Sequence, residues 1–176
     1  MNRAFTVLDV RSLDDQARTI EGIASTPTTD RMGDVVEPLG AKFKLPMPLL
    51  WQHNHSEPVG TVEFAQPTRS GIPFRARIAK VTEPGTLKSR TDEAWDTVRS
   101  GLVRAVSIGF RALASQPLKS GGTRFTSWEW LELSLVTIPA NSDAMIVAVK
   151  AFDRAQRATA GHRAGKGSVR LIPRAY

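Results

Sequence analysis

Cysteine is absent from this 176-residue chain. That excludes a disulfide framework, a thiolate metal site and a cysteine nucleophile. Long apolar runs are also missing, and nothing approaches the ~20 residues that a membrane-spanning helix needs. Near the start, MNRAFTVLDVRSLDD places Asp9 and Arg11 where a secretory leader requires unbroken apolar sequence. No signal peptide and no membrane contact are therefore expected, and an intracellular protein is. Histidine is scarce: His53, His55 and His162 are the 3 present, so imidazole chemistry has few candidates. What is present is ordinary for a folded domain, with 41% hydrophobic and 23% charged residues. Bulk disorder and collagen-like structure are excluded by that balance. The length suits one domain with a single core.

The net charge of +7 is unevenly placed. From residue 151 onward, Arg154, Arg157, Arg163, Lys166, Arg170 and Arg174 face only Asp153, leaving the preceding body nearly balanced. Residues 159–168 are rich in Gly and Ala without apolar period. The reading is a domain over residues 1–158 followed by a basic, flexible tail over 159–176. Such a tail suits weak contact with nucleic acid or an acidic partner, or it is a solvated terminus with no partner.

Alternation dominates the first half. ARTIEGIAS (17–25), VGTVEFA (59–65) and IPFRARIA (72–79) read as strands, the last with Ile72, Phe74, Ala76 and Ile78 on one face. A helix is expected from about Pro84 to Ser100, with Leu87, Ala94, Trp95, Val98 and Leu102 near one face and Gly101 as its stop. Two longer strands follow, about 103–114 and 123–137, around a turn at Lys119-Ser120-Gly121-Gly122. A second helix is expected over about 143–158, capped by Asn141 or Ser142 and striped with alanines. The fold class is α+β, mainly antiparallel β, with two or so helices.

The two long strands carry the candidates for chemistry. In WLELSLV, Leu131, Leu133 and Leu135 define an apolar face, so Glu132 and Ser134 take the other. In RAVSIGF, Val106, Ile108 and Phe110 are apolar, and Ser107 and Gly109 point away. A hairpin centred near residues 120–121 sets Ser107 opposite residue 134, with Glu132 a diagonal step away. The plain alternative is that these are ordinary solvent-facing residues of a half-exposed sheet. A serine nucleophile needs a base, and LLWQHNHSEPVGTV supplies His53 and His55 at a spacing that periodicity cannot separate. His162 lies in the tail. His53-x-His55 also resembles half of a zinc site, but the Asp-His continuation of binuclear metallohydrolases and cysteine ligands are missing. The letters HNH do not make a nuclease, whose signature residues are spread over a longer ββα motif.

Four blocks in order resemble the phage prohead (capsid maturation) protease family. They are IEGIASTPTTDRMGDVVEP (20–38), LLWQHNHSEPVGTV (49–62), VRSGLVRAVSIGFRA (98–112) and WLELSLVTIPANSDAMIVAV (130–149). The resemblance implies kinship with the herpesvirus assembly proteases: a closed antiparallel β barrel surrounded by a few helices, with a serine nucleophile. It assigns the base to His53, the nucleophile to Ser107 and the third triad member to Glu132, where the herpesvirus enzymes carry a second histidine. Asn54 stands where an acidic residue often follows the first histidine, which keeps His55 in view as the alternative base. No cofactor or metal is implied. The implied activity is a serine endopeptidase that cleaves scaffolding protein, or the scaffolding segment of the major capsid protein, and itself. The implied setting is an assembling procapsid in the cytoplasm of a bacterial host, of a phage, a prophage or a gene transfer agent. A homodimer is implied by the herpesvirus analogy alone. The competing reading is a catalytically inactive capsid-assembly or nucleic-acid-binding barrel.

Overall fold

The computed structural model describes residues 17–150, with side chains described as far as Val147. Among the described residues nine strands form one sheet: β1 (Thr19–Ile23), β2 (Val35–Val36), β3 (Ala41–Lys42), β4 (Met47–Trp51), β5 (Asn54–Ala65), β6 (Pro73–Ile78), β7 (Ala105–Pro117), β8 (Thr123–Val136) and β9 (Ile146–Lys150). The path runs β2-β8-β4-β5-β6-β1-β9, with β3 and β7 also paired to β8. β8 is the hub. It takes β7 antiparallel, and β2, β3 and β4 parallel at successive positions along its length.

The alternating segments fold as their period requires. In β6, Phe74, Ala76 and Ile78 are buried, and Arg75 and Arg77 lie in solvent against Glu21 and Glu63. The helix α1 (Thr86–Arg99) buries Thr91, Ala94, Trp95 and Val98. Leu87 and Leu102, assigned to the same face from the sequence, are exposed. Gly101 follows the helix at φ 75°, the left-handed conformation in which a side chain is disfavoured. Arg18, at the start of β1, locks α1 to the sheet. Its guanidinium donates to the carbonyls of Ala79 and Thr91 and pairs with Asp92 at 2.7 Å. Lys88 and Arg18 together hold the Asp92 carboxyl below its ordinary pKa.

Two expectations fail. The sheet is not closed into a barrel, and α1 is the one α-helix among the described residues, beside a 3-10 turn at Pro38–Gly40. The start of β7 meets the segment before β9 only at an isolated bridge, Ala105 to Met145, flanked by two backbone bonds. Chain leaving β8 turns at Asn141, whose side chain accepts the Asp143 N–H at 2.9 Å and whose carbonyl accepts the Ala144 N–H. It then pairs with β1 rather than continuing along β7. The helix expected over 143–158 is therefore a strand where it is described. Asn141 forms a cap-like turn, but Ile146 and Val147 are β-branched and alternate buried and exposed, which suits a pleated surface better than a helix. The remainder of that helix, the boundary at 158 and the basic tail lie outside the described residues.

Candidate active site

The β7–β8 hairpin sets the geometry. Ser107 lies directly across from Ser134, and Gly109 directly across from Glu132. This is the register that a hairpin centred at 120–121 demands, and the turn closes there with the Leu118 N–H donating to Gly122 O. Opposed residues in an antiparallel pair project to one side, so Ser107, Ser134 and Glu132 share a face. That face is not open to solvent. Ser107 is 5% exposed, Glu132 4% and Ser134 0%. Leu133 and Leu135 are buried on the opposite face as expected, whereas Leu131 is 48% exposed. The cause is a bulge: pairing steps from Gly109–Glu132 to Phe110–Trp130, leaving Leu131 unpaired and turned outward.

What covers the polar face is the tight turn joining β4 to β5. Trp51 pairs with Asn54, so Gln52 and His53 form a two-residue loop. Both have positive φ, 49° and 59°, as a type I′ turn requires. Neither is glycine, so each left-handed residue costs about 1–2 kcal/mol. Contacts to β8 and to Thr137 just after it compensate. The Gln52 N–H donates to Leu135 O, the His53 N–H donates to Ser134 Oγ at 3.1 Å, and Gln52 Nε2 donates to Thr137 Oγ1. Strain of this kind, fixed by surrounding structure, is characteristic of functional sites.

The result is a bonded chain of side chains. His53 Nδ1 lies 2.7 Å from Glu132 Oε1, and Ser134 Oγ donates to Glu132 Oε2 at 2.6 Å. An ionised carboxylate only accepts, so the Nδ1 atom carries the proton and Nε2 is left as an acceptor. The hydrogen bond from His53 to Glu132, reinforced by the carboxylate charge, raises the imidazole pKa above its ordinary value against the opposing effect of burial. Glu132 is further fixed through its carbonyl, which accepts the Trp130 indole N–H at 2.7 Å. Gly109 makes room for the carboxylate: a Cβ there would lie 2.0 Å from Glu132 Oε1.

The three candidates are thus distributed as follows. His53 and Glu132 are joined directly. Ser107 is on the strand face of Glu132, two residues before Gly109, and lines a small cleft with Ala24, Thr28 and Asn141. No hydrogen bond joins Ser107 to His53. His55 begins the exposed edge of β5 and makes none of these contacts, because the turn at Gln52-His53 separates the two histidines into different conformations. Among the described residues, no group of three or more His, Asp or Glu side chains is placed to hold a metal ion. Sequence reasoning placed Ser134 on the right face but gave it no role. It set Gly109 on the same side as Ser107 but saw no use for the space it leaves. The serine two residues after Glu132 and the glycine at its paired position were the available signals.

The hairpin thus sets a buried carboxylate, bonded to a half-exposed imidazole, on the strand face that also carries Ser107. The family profile of the caudovirus prohead serine proteases matches residues 6–158, and the chain belongs to that family. It is 58% identical over 161 residues to the capsid polyprotein of Pseudomonas phage PAJU2, covering 91% of this chain. The chain spans only 24% of that polyprotein's length. It is 25% identical over 157 residues to the prohead protease of Escherichia phage T5, covering 82% of this chain and 70% of the T5 protein. Among solved structures, a KSHV protease in complex with a hexapeptide phosphonate inhibitor aligns with a TM-score of 0.46 at 11% identity. That alignment covers 73% of this chain and 63% of the other.

Proposed function

We propose that this chain is a serine endopeptidase of capsid maturation, with Ser107 as nucleophile, His53 as general base and Glu132 as the group that orients and charges the imidazole. The observation that carries the reading is the buried Glu132 carboxylate bonded to His53 Nδ1 on the strand face that also presents Ser107. A carboxylate is rarely buried without a partner or a task. Here its partner is a half-exposed imidazole whose second nitrogen is free to take a proton.

In the reaction, His53 Nε2 takes the Ser107 proton as Oγ attacks a peptide carbonyl, and Glu132 stabilises the imidazolium that forms. The imidazolium then protonates the leaving amine. Water, deprotonated by the same histidine, releases the acyl group and regenerates Ser107. The missing Ser107–His53 hydrogen bond is compatible with this course, since catalytic hydrogen bonds often tighten only with substrate bound.

The substrate is the scaffolding protein or scaffolding segment of the major capsid polypeptide, and the site of action is the assembling procapsid in a bacterial host. The PAJU2 relative supports a substrate on the capsid polypeptide, because there a similar stretch is one quarter of a capsid polyprotein. Self-cleavage follows the same logic. The test is co-expression with a capsid polypeptide carrying its scaffolding segment and intact-mass measurement. Wild type is expected to trim the capsid or scaffold polypeptide, and Ser107→Ala to leave it whole. A fluorophosphonate probe is expected to label Ser107 alone. Normal trimming by Ser107→Ala overturns the serine-protease reading and favours a non-catalytic assembly role.

A further inference from the structure

We propose that Ser134 is a positioning residue of this site, a hydroxyl that sets the histidine and the carboxylate against each other. The inference rests on the peptidase reading and extends it to a residue outside the triad.

Ser134 is completely buried, near the C-terminal end of β8 and directly across the ladder from Ser107. On its third side it lies beside Leu50 of β4, one residue before Trp51, which pairs with Leu135 and leads into the histidine turn. Its hydroxyl makes two bonds. It accepts the backbone N–H of His53 at 3.1 Å and donates to Glu132 Oε2 at 2.6 Å. A hydroxyl can do both at once because it has one proton and two lone pairs. No amide, thiol or methyl of similar size does the same with equal strength.

The two bonds act on different things. The first holds the backbone of a residue at φ 59°, which a histidine does not favour by itself. The second occupies the carboxylate oxygen that His53 leaves free, so the Glu132 rotamer is fixed with Oε1 toward Nδ1. Without Ser134, Oε2 is a buried acceptor with no donor, and the histidine N–H is a donor with no acceptor. Both groups then gain reason to move, and a displacement near 1 Å at a reacting group lowers turnover by ~10²-fold. Binding of the peptide is unaffected in principle, because Ser134 is fully buried and touches no substrate.

The experiment uses the full chain with Ser134→Ala and Ser134→Thr. Three readings are taken: kcat and KM on a peptide spanning a mapped cleavage site, the thermal melt, and the proton NMR signal of the hydrogen-bonded Nδ1–H. Only three histidines are present, so His55→Gln and His162→Gln assign that signal. Ser134→Ala is expected to remain folded, to lose ~10–10²-fold in kcat with KM nearly constant, and to lose or broaden the low-field Nδ1–H signal. Ser134→Thr keeps the hydroxyl on a residue suited to a strand and is expected to recover both.

A folded Ser134→Ala protein with wild-type kcat and an unchanged Nδ1–H signal overturns the proposal. If Ser134→Ala does not fold, Ser134→Thr decides. A folded Thr variant with low kcat and no Nδ1–H signal overturns it as well. The NMR signal does not depend on proteolysis. Failure of the peptidase reading, seen as processing that survives Ser107→Ala, is therefore separable from failure of this one.

Discussion

The two halves of the β7–β8 hairpin are written in nearly the same alternating script, yet they have opposite surroundings. The inner half, Ala105–Gly109 against Glu132–Val136, is covered on both faces, and Leu133, Leu135, Ser134 and Glu132 are all buried. Across the bulge at Leu131, the face carrying Arg111 and Glu129 is open to water and holds an ordinary surface ion pair at 2.5 Å. β7 is exposed from Arg111 to its end. A polar residue therefore means different things in the two halves. On the outside it is solvated and replaceable. On the inside it is present against the cost of desolvation, and Glu132 and Ser134 are each matched there by specific partners.

The sharpest way to break this contrast is at the boundary between the halves. Gly109→Ala places a methyl 2.0 Å from Glu132 Oε1, so the carboxylate must leave its position. Overpacking of this sort costs about 1–3 kcal/mol, and the lost alignment costs ~10²-fold in kcat. Chemical denaturation and peptide kinetics measure the two effects. Wild-type kcat in Gly109→Ala would mean that the Glu132–His53 contact is not needed for turnover.

A gentler probe is pH. The Glu132 contact raises the His53 pKa above its ordinary value near 6.5. A base must be unprotonated to act, so kcat/KM is expected to rise with pH through that raised value rather than at 6.5. The stability contribution has the opposite slope. A group whose folded pKa is raised stabilises fully below its unfolded pKa, and that contribution disappears as pH climbs through the folded pKa. Stability and activity should thus cross in the same window. Glu132→Gln removes the charge and should bring both transitions back toward 6.5. A wild-type acid limb at or below 6.5 would contradict the assignment of His53 as the base.

Much of this was legible before any coordinates. Hairpin register follows from where the Gly121-Gly122 turn must lie, and the parity of Leu133 and Leu135 places Ser107, Ser134 and Glu132 together. The rest depends on contacts that no local pattern encodes. The bulge that exposes Leu131 is a one-residue mismatch between two strands, visible only once both are paired. Which histidine reaches Glu132 depends on a type I′ turn formed by Gln and His rather than by the Asn-Gly that would have announced it. The strand at Ile146–Lys150 was hidden by the alanine stripe Ala144, Ala148, Ala151 and Ala155 and by the cap-like Asn141, since pairing with β1 overrode local helix preference. Closure into a barrel, expected from family likeness, concerns how sheet edges meet, and alternation along single strands says nothing about that.

The smallest expected effect lies in the outer half. Glu129 shares the alternating strand with Glu132 and sits three residues away, yet it faces Arg111 in solvent. Exposed pairs of this kind contribute about 0–1 kcal/mol, and the imidazole bonds Glu132 rather than Glu129. Glu129→Gln should therefore melt within about 1 kcal/mol of wild type. Its pH profile should keep the same acid limb, because the charge removed is screened by water and by the neighbouring guanidinium. Raising the salt concentration should shrink even the small stability difference. Measured side by side with Glu132→Gln, the pair isolates what burial adds to one and the same chemical change. If Glu129→Gln instead shifts the acid limb as far as Glu132→Gln does, the two halves of the hairpin are not electrostatically separate, and the bulge does not mark the edge of the site.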